Sequence, residues 1–213
     1  MIKIASIVQE IIENDDLVRS LASKGLLNSM AYARSIQKEV ESQAKKEVQL
    51  GSITAAVARY VTSIKPVELP SEKDIQQVSV QTNLEGLTYE RSEEVSQKIQ
   101  AIYNELKVNN KTFVTVTQGI NEITIIAENS VVDIFRKKLK SYPTIYDISD
   151  IVGITVKFGI KYMSIPNLFY LLIRKLALKN INIVEIVSTA TELTFIINKN
   201  NLQVSLDQLQ KGL

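Results

Sequence analysis

The side chains able to make or break bonds are few, and their spacing suits structure better than catalysis. The 213-residue chain contains no histidine and no cysteine. That removes the commonest general base, the commonest metal ligand and any thiolate nucleophile. The remaining candidates are paired carboxylates: Asp15–Asp16, Glu93–Glu94, and Asp147 with Asp150. The first two pairs fall where helix starts favour negative charge, and the third flanks a strand junction. No glycine-rich phosphate cradle accompanies them. The chain is therefore expected to be no enzyme and to carry no metal and no cofactor. Cationic residues are distributed differently. From Ile151 to Val184 there are five basic residues, Lys157, Lys161, Arg174, Lys175 and Lys179, and no acidic one. Three lie toward the end of a predicted helix, where they complement its dipole. Lys157 and Lys161 lie before its start, beside the loop from Gly159 to Asn167.

The elements that position these residues follow from periodicity. Hydrophobic residues make up 45% of the chain, enough for a core, and 25 Lys and Arg against 23 Asp and Glu leave a net charge of +2. That balance is unlike a protein built to neutralise phosphates. The N-terminus lacks the apolar core and cleavage site of a signal peptide, and no run approaches the roughly 18 apolar residues that span a bilayer. A cytoplasmic protein without a membrane partner is expected.

Residues 1–64 read as helices. Ile4, Ile7, Val8, Ile11 and Ile12 form one stripe, and Asn14 or Asp15 caps a second helix with Leu17, Val18 and Leu21 inward. Asn28 or Ser29 caps a third, whose buried side carries Met30, Ala33, Ile36, Val40 and Ala44. Ile53, Val57, Tyr60, Val61 and Ile64 mark a fourth. The expectation is an all-α bundle, with a helix-turn-helix as one form of it. Residues 65–74, with Pro66 and Pro70, form a linker.

Residues 75–150 and 151–213 repeat one plan. In the second copy Ile154, Val156 and Phe158 alternate as a strand. Leu168, Leu172, Ile173 and Leu176 make a helix stripe. Ile181–Val187 and Glu192–Ile197 are β-rich, and Leu206, Leu209 and Leu213 mark a last helix. In the first copy Val78, Val80 and Thr82 read as the strand, and Val95, Ile99, Ile102 and Leu106 as the helix stripe. Phe113–Thr117 and Glu122–Ile126 follow as strands around a Gln118–Gly119 turn, then a helix with Val132, Phe135 and Leu139. An offset of 70 carries Ile99 onto Phe169, Ile102 onto Leu172, Glu122 onto Glu192 and Thr124 onto Thr194. An offset of 76 carries Val78, Val80 and Thr82 onto Ile154, Val156 and Phe158. On this alignment the first copy has about six extra residues in an acidic strand–helix loop, Asn83 to Ser92, holding Glu85, Gly86, Glu90 and Arg91, with Glu93 just beyond. Strand, helix, strand, strand, helix packs as the ferredoxin-like plan, so the fold class is α+β. The first copy closes with a fourth strand near Thr144–Ile148; the second lacks one of its own.

The stretch VGITVKFGIKYMSIPNLFYLLIRKLALKNINIVEIVSTATELTFII resembles an ACT domain, in particular the regulatory ACT domains of aspartate kinases. Its loop ends in Pro166–Asn167 where these families usually show Pro-Gly, and Asn is among the residues that tolerate positive φ. The resemblance implies two βαββαβ units with an effector amino acid held between them. The strand–helix loop and the neighbouring second strand would hold it. It places Ser164, Asn167 and Leu168 at the ligand, Ile183 and Val184 across the interface, and Lys157 and Lys161 nearby. Backbone N–H groups at a helix start suit the effector's carboxylate. It also implies that a segment before the first unit supplies the second unit's missing strand, here Ile64 to Leu69. The pattern GLLNSMAYARSIQ with SITAAVARYV is similar to the N-terminal segment of predicted regulators that carry ACT domains.

These readings lead to a non-catalytic sensor whose units pair within the chain or across a homodimer and bind a small amino acid. Helices stand where a kinase portion would precede the ACT units. Two alternatives remain. One is a DNA-binding regulator presenting Arg59 and Lys65, against which stand nine basic and seven acidic residues over positions 1–66. The other is an assembly scaffold that has lost its ligand, since Asn167 replaces Gly. The output partner is DNA or a metabolic enzyme.

Overall fold

A computed structural model describes residues 3–64, 75–106, 112–164 and 166–210. The chain divides into two compact units, Met1–Glu68 and Leu69–Leu213. Among the described residues no helix is long and apolar enough to cross a membrane.

The first unit holds helices α1 (Ile4–Glu13), α2 (Asp16–Ser23), α3 (Ser29–Ala44) and α4 (Leu50–Ser63) around one core of Ile7, Val8, Ile12, Ala33, Ile36, Val40, Ile53 and Val57. Local signals set the boundaries. The Asp15 carboxylate accepts the Val18 N–H at 3.0 Å, and the Asn28 side chain accepts those of Met30 and Ala31 at 3.1 and 3.0 Å. Each satisfies donors that a helix start leaves open. Two expected core residues face outward: Leu17 is 64% exposed and Met30 57%. Both sit in the first turn of their helix, where Val18 with Ala22 and Ala33 with Ile36 carry the inward stripe instead. Between α1 and α4 the Tyr60 hydroxyl donates to Glu13 at 2.7 Å. Burial, together with that carboxylate, pushes the Tyr60 hydroxyl up to about 12. Hydrogen bonds from Gln9 and Tyr60 hold Glu13 below its ordinary value.

The second unit is one six-stranded antiparallel sheet with strands β1 (Ile75–Glu90), β2 (Val114–Gln118), β3 (Glu122–Glu128), β4 (Thr144–Phe158), β5 (Ile183–Ser188) and β6 (Glu192–Asn198) in the order β2-β3-β1-β4-β6-β5. Helices α5 (Glu93–Glu105) and α6 (Asn129–Lys138) cover β1, β2 and β3 through Leu87, Tyr89, Ile99, Ile125 and Phe135. Helices α7 (Leu168–Ala177) and α8 (Leu202–Gln210) cover β4, β5 and β6 through Ile154, Val156, Leu172, Phe195 and Leu209.

The central strands β1 and β4 are long because each serves both halves. β1 pairs with β3 only over Leu84–Glu90, and β4 pairs with β6 only over Ile151–Lys157. The first half of β1 runs instead beside the second half of β4, from Ile75 opposite Phe158 to Gln81 opposite Gly153. Ile75–Gln81 thus gives the second half its outer strand. The sequence placed this role on Ile64 to Leu69. Ile64 ends α4, and residues 65–74 lie outside the described residues.

Each long strand changes character at a left-handed residue, Asn83 (φ 57°) in β1 and Asp150 (φ 58°) in β4, where the pairing register shifts. This corrects the sequence reading of the first copy. Its strand is Leu84–Glu90, and Val78 and Val80 belong to the other half of the sheet. An offset of 67, not 76, carries Asn83, Leu84, Gly86, Leu87 and Tyr89 onto Asp150, Ile151, Gly153, Ile154 and Val156. The strand–helix connection of the first copy is therefore the short one, Arg91–Ser92, and the long one, Gly159–Asn167, belongs to the second. The supposed acidic loop is strand: Glu85 lies within β1 and meets Arg136 at 2.8 Å.

The face without helices is also buried at its centre, by Leu84, Ile126, Ile151 and Ile196. Thr88 bonds Thr124 at 3.0 Å on one side of this cluster, and Thr155 bonds Thr194 at 2.7 Å on the other. Two glycines permit the close approach. A Cβ on Gly86 would lie 3.0 Å from Ile148 Cγ2, and one on Gly153 would lie 3.3 Å from Thr194 Cγ2. The edge strands meet as well. Thr117 of β2 donates to Glu185 of β5 at 2.7 Å, although a flat sheet would set them roughly 24 Å apart. The sheet is curled, with its helix-free face inside.

Two measurements test this packing. Leu84→Ala is expected to lower stability by about 2–5 kcal/mol in chemical denaturation. Ile120→Ala, at a position 89% exposed, should change it by less than about 0.5 kcal/mol. In the helical unit the raised Tyr60 value means its contribution is whole below pH 10 and is lost as pH rises toward about 12. Glu13→Gln should bring that ionisation back toward 10, read as tyrosinate absorbance.

Candidate functional site

The candidate cleft is built where β4 ends. After Phe158 the chain passes Gly159, makes a tight turn over Ile160–Ser164, and re-enters regular structure at Asn167. The Tyr162 N–H donates to the Gly159 carbonyl at 3.0 Å, and the Phe158 N–H donates to the Thr191 carbonyl at 2.9 Å, so the loop is tied to the β5–β6 turn. Asn167 takes the left-handed conformation at φ 72°, ψ −3°, in the place where the resembled families carry glycine. Its side chain makes no capping bond to α7. The first-turn N–H groups of α7 are thus without a side-chain acceptor from the cap position.

Between the start of α7 and the β5–β6 turn lies a cleft of about 440 Å³. Phe158, Tyr162, Asn167, Leu168, Phe169 and Tyr170 line one side, and Ser188, Thr189 and Ala190 the other. Phe158, Tyr162 and Leu168 are buried at its base, whereas Phe169 and Tyr170 are 45% and 42% exposed. The Phe158 ring meets Tyr162 edge-on at 6.5 Å and Phe169 at a tilt at 6.3 Å. The Lys161 ammonium sits 4.8 Å from the centre of the Tyr162 ring, a favourable cation–π placement. The result is an aromatic cleft with a hydroxyl-bearing rim, a helix start and a cation at its border.

The residues expected at a site are only partly brought together. Asn167 and Leu168 line the cleft. Lys161 and Ser164 lie exposed on the adjoining turn. Lys157 is exposed beside Glu192 and Gln77, on the sheet face opposite the helices. Ile183 and Val184 begin β5, while the cleft meets the other end of that strand. Five residues of strand separate Ile183 from Ser188, roughly 17 Å, so one copy does not place Ile183 and Val184 at Asn167. The sequence reading missed the aromatic lining and gave the turn between the last two strands, Ser188 to Thr191, no part in the site. A signal was present: four of the thirteen Phe and Tyr residues fall within positions 158–170. The offset of 70 matches Phe169 to Ile99 of the first copy's helix stripe, and the sequence reading gives it no site role.

The carboxylate pairs have structural partners. Asp15 caps α2, Glu94 accepts the Tyr142 hydroxyl, Asp147 meets Arg136 at 3.1 Å, and Asp150 pairs with Lys199. Among the described residues no group of three acidic, His or Cys side chains is placed to hold a metal. The turn of the first copy is filled: the Arg91 guanidinium donates to the Gly119 carbonyl at 2.8 Å, and the Gly119 N–H closes the hairpin on Glu122 at 2.8 Å. In the helical unit the Arg59 Nε–H turns back to the Ala55 carbonyl at 3.2 Å. Lys65 lies outside the described residues.

No family model and no curated protein matches the sequence. Solved structures match the fold. The regulatory subunit of aspartate kinase from Thermus thermophilus, in ligand-free form, superposes with a TM-score of 0.53 over 66% of this chain and 99% of that one, at 12% identity. Aspartokinase alpha and beta subunits give 0.51 over 64% and 97%, at 13% identity. Aspartate kinase from Clostridium acetobutylicum gives 0.55 over 70% of this chain but 36% of that longer one, at 12% identity. The class these likenesses define is a fold: the chain carries the ACT-type fold of aspartokinase regulatory domains. Its α+β architecture and six-stranded antiparallel sheet agree with that.

The loop's backbone gives a direct test. Asn167→Gly should keep the midpoint of thermal unfolding, because glycine enters the left-handed region without strain. Asn167→Ala should lose about 1 kcal/mol.

Proposed function

We propose that this protein is a non-catalytic regulator that binds a small amino acid on its ACT-type sheet. The observation that carries this reading is the shared fold, which spans nearly the whole of an aspartokinase regulatory subunit. In this reading the sheet is two ferredoxin-like βαββαβ units, 75–150 and 151–213, joined through the linker at 65–74 to a helical bundle at 1–64. The effector's carboxylate meets the N–H groups at the start of α7, near Asn167 and Leu168, with Lys161 adding positive charge. Ser164 borders the same loop. Ile183, Val184 and Lys157 contribute only where a second copy brings the start of β5 to the loop, as in a cytoplasmic homodimer.

Effector binding acts by favouring one arrangement of the units over another, and the helical bundle passes that preference to its partner. A metabolic enzyme is the favoured partner. The near-neutral charge of residues 1–66 is a weak basis for gripping duplex DNA.

A thermal-shift screen of the full chain against the twenty amino acids tests the proposal. At a concentration of 100 Kd a true effector adds about 2.7 kcal/mol of stability. A flat screen at millimolar concentration would favour the ligand-free scaffold instead.

A further inference from the structure

Resting on the amino-acid-sensing reading, we infer that the effector is aromatic, with L-phenylalanine as the expected occupant of the α7 cleft. The cleft has the size and mainly apolar lining of a small-molecule site. Its distinguishing feature is a pair of rings, Phe169 and Tyr170, left 45% and 42% exposed above a buried floor of Phe158, Tyr162 and Leu168. Rings held in tilted and edge-on contact already, Phe158 with Tyr162 and with Phe169, offer the geometry that another aromatic ring prefers. A phenyl group offers these rings more apolar and aromatic contact than the side chain of threonine does.

Charge gives the same direction. The described residues lining the cleft include no carboxylate to pair with the side-chain ammonium of lysine, which leaves it cation–π attraction alone. The second carboxylate of aspartate would face aromatic rings, whose faces are negative. The polar groups that are present suit the common end of any amino acid. The α7 start and Lys161 favour the α-carboxylate, and Ser188 and Thr189 on the opposite rim supply hydroxyls within the same cleft.

The test is isothermal titration calorimetry on the full chain with L-phenylalanine, L-leucine, L-threonine, L-lysine and L-aspartate. L-phenylalanine should bind at least about tenfold more tightly than any of the others, and Phe169→Ala should weaken it by about tenfold. Phe169→Leu removes the ring but keeps the bulk, and serves as the second variant if Phe169→Ala fails to fold. If lysine, threonine, aspartate or leucine binds as tightly as phenylalanine, the sensor reading stands and the aromatic one falls. If none of the five binds, while another amino acid shifts the thermal midpoint, the phenylalanine assignment falls, and the aromatic one with it unless that amino acid is tyrosine or tryptophan; if none of the twenty does, both the sensor and the aromatic readings fall. Phenylalanine binding that survives loss of the Phe169 ring would place the site elsewhere and overturn the inference.

Discussion

The sheet depends on one antiparallel pair, β1 with β4. Their register runs from Ile75 opposite Phe158 to Tyr89 opposite Thr144; β3 and β6 pair with them directly, and β2 and β5 join through β3 and β6. A straight pair of this length would expose one long face to water. The left-handed residues Asn83 and Asp150 break each strand at its middle. The break turns a different set of side chains inward on either side of it. Leu84 and Ile151 face each other across it and belong to the helix-free cluster, while Leu87, Tyr89, Ile154 and Val156 face the helices. One local backbone feature, used twice, lets both faces of the sheet bury apolar area, the main favourable contribution to folding.

The same arrangement puts the cleft where it is. β4 carries the second half's core up to Phe158, and the chain must then climb to the start of α7. The first half makes the equivalent step through Arg91 and Ser92 and closes it with a guanidinium on the hairpin turn. The second half takes the longer route through Gly159–Asn167 and leaves aromatic rings where the first half has a filled turn. Repeats of one plan thus differ at the connection between a rigid strand and a rigid helix, where variation costs the core least.

Helices were legible because their stripes are long and their caps explicit, as with Asp15, Asn28 and the Val132, Phe135 and Leu139 face. The second copy was legible because Ile154, Val156 and Phe158 alternate without interruption. The first copy misled for a physical reason. Val78, Val80 and Thr82 alternate as well as a first strand should, yet they form the outer strand of the other half. The true strand starts at a left-handed Asn83 and shifts register again before Gly86, so its period of two is interrupted where the eye needs it. Thr155 falls between Ile154 and Val156, where the alternation expects a polar outward face, yet Thr88, Thr155 and Thr194 are buried on the inside of the curl. No local pattern announces curling. The cleft was only partly legible, since an aromatic residue in a helix looks the same whether it joins the core or stands beside a hollow.

The exchange of half-strands has a consequence for how such a protein could arise and be taken apart. A gene fragment ending near residue 150 would encode one complete half with a dangling ribbon, and the remaining 63 residues would encode a half with a raw border. Neither piece is a module in the sense of something that can be cut out and shuffled. The two halves are spliced through shared threads, and the border of each is completed by a strand that continues into the other.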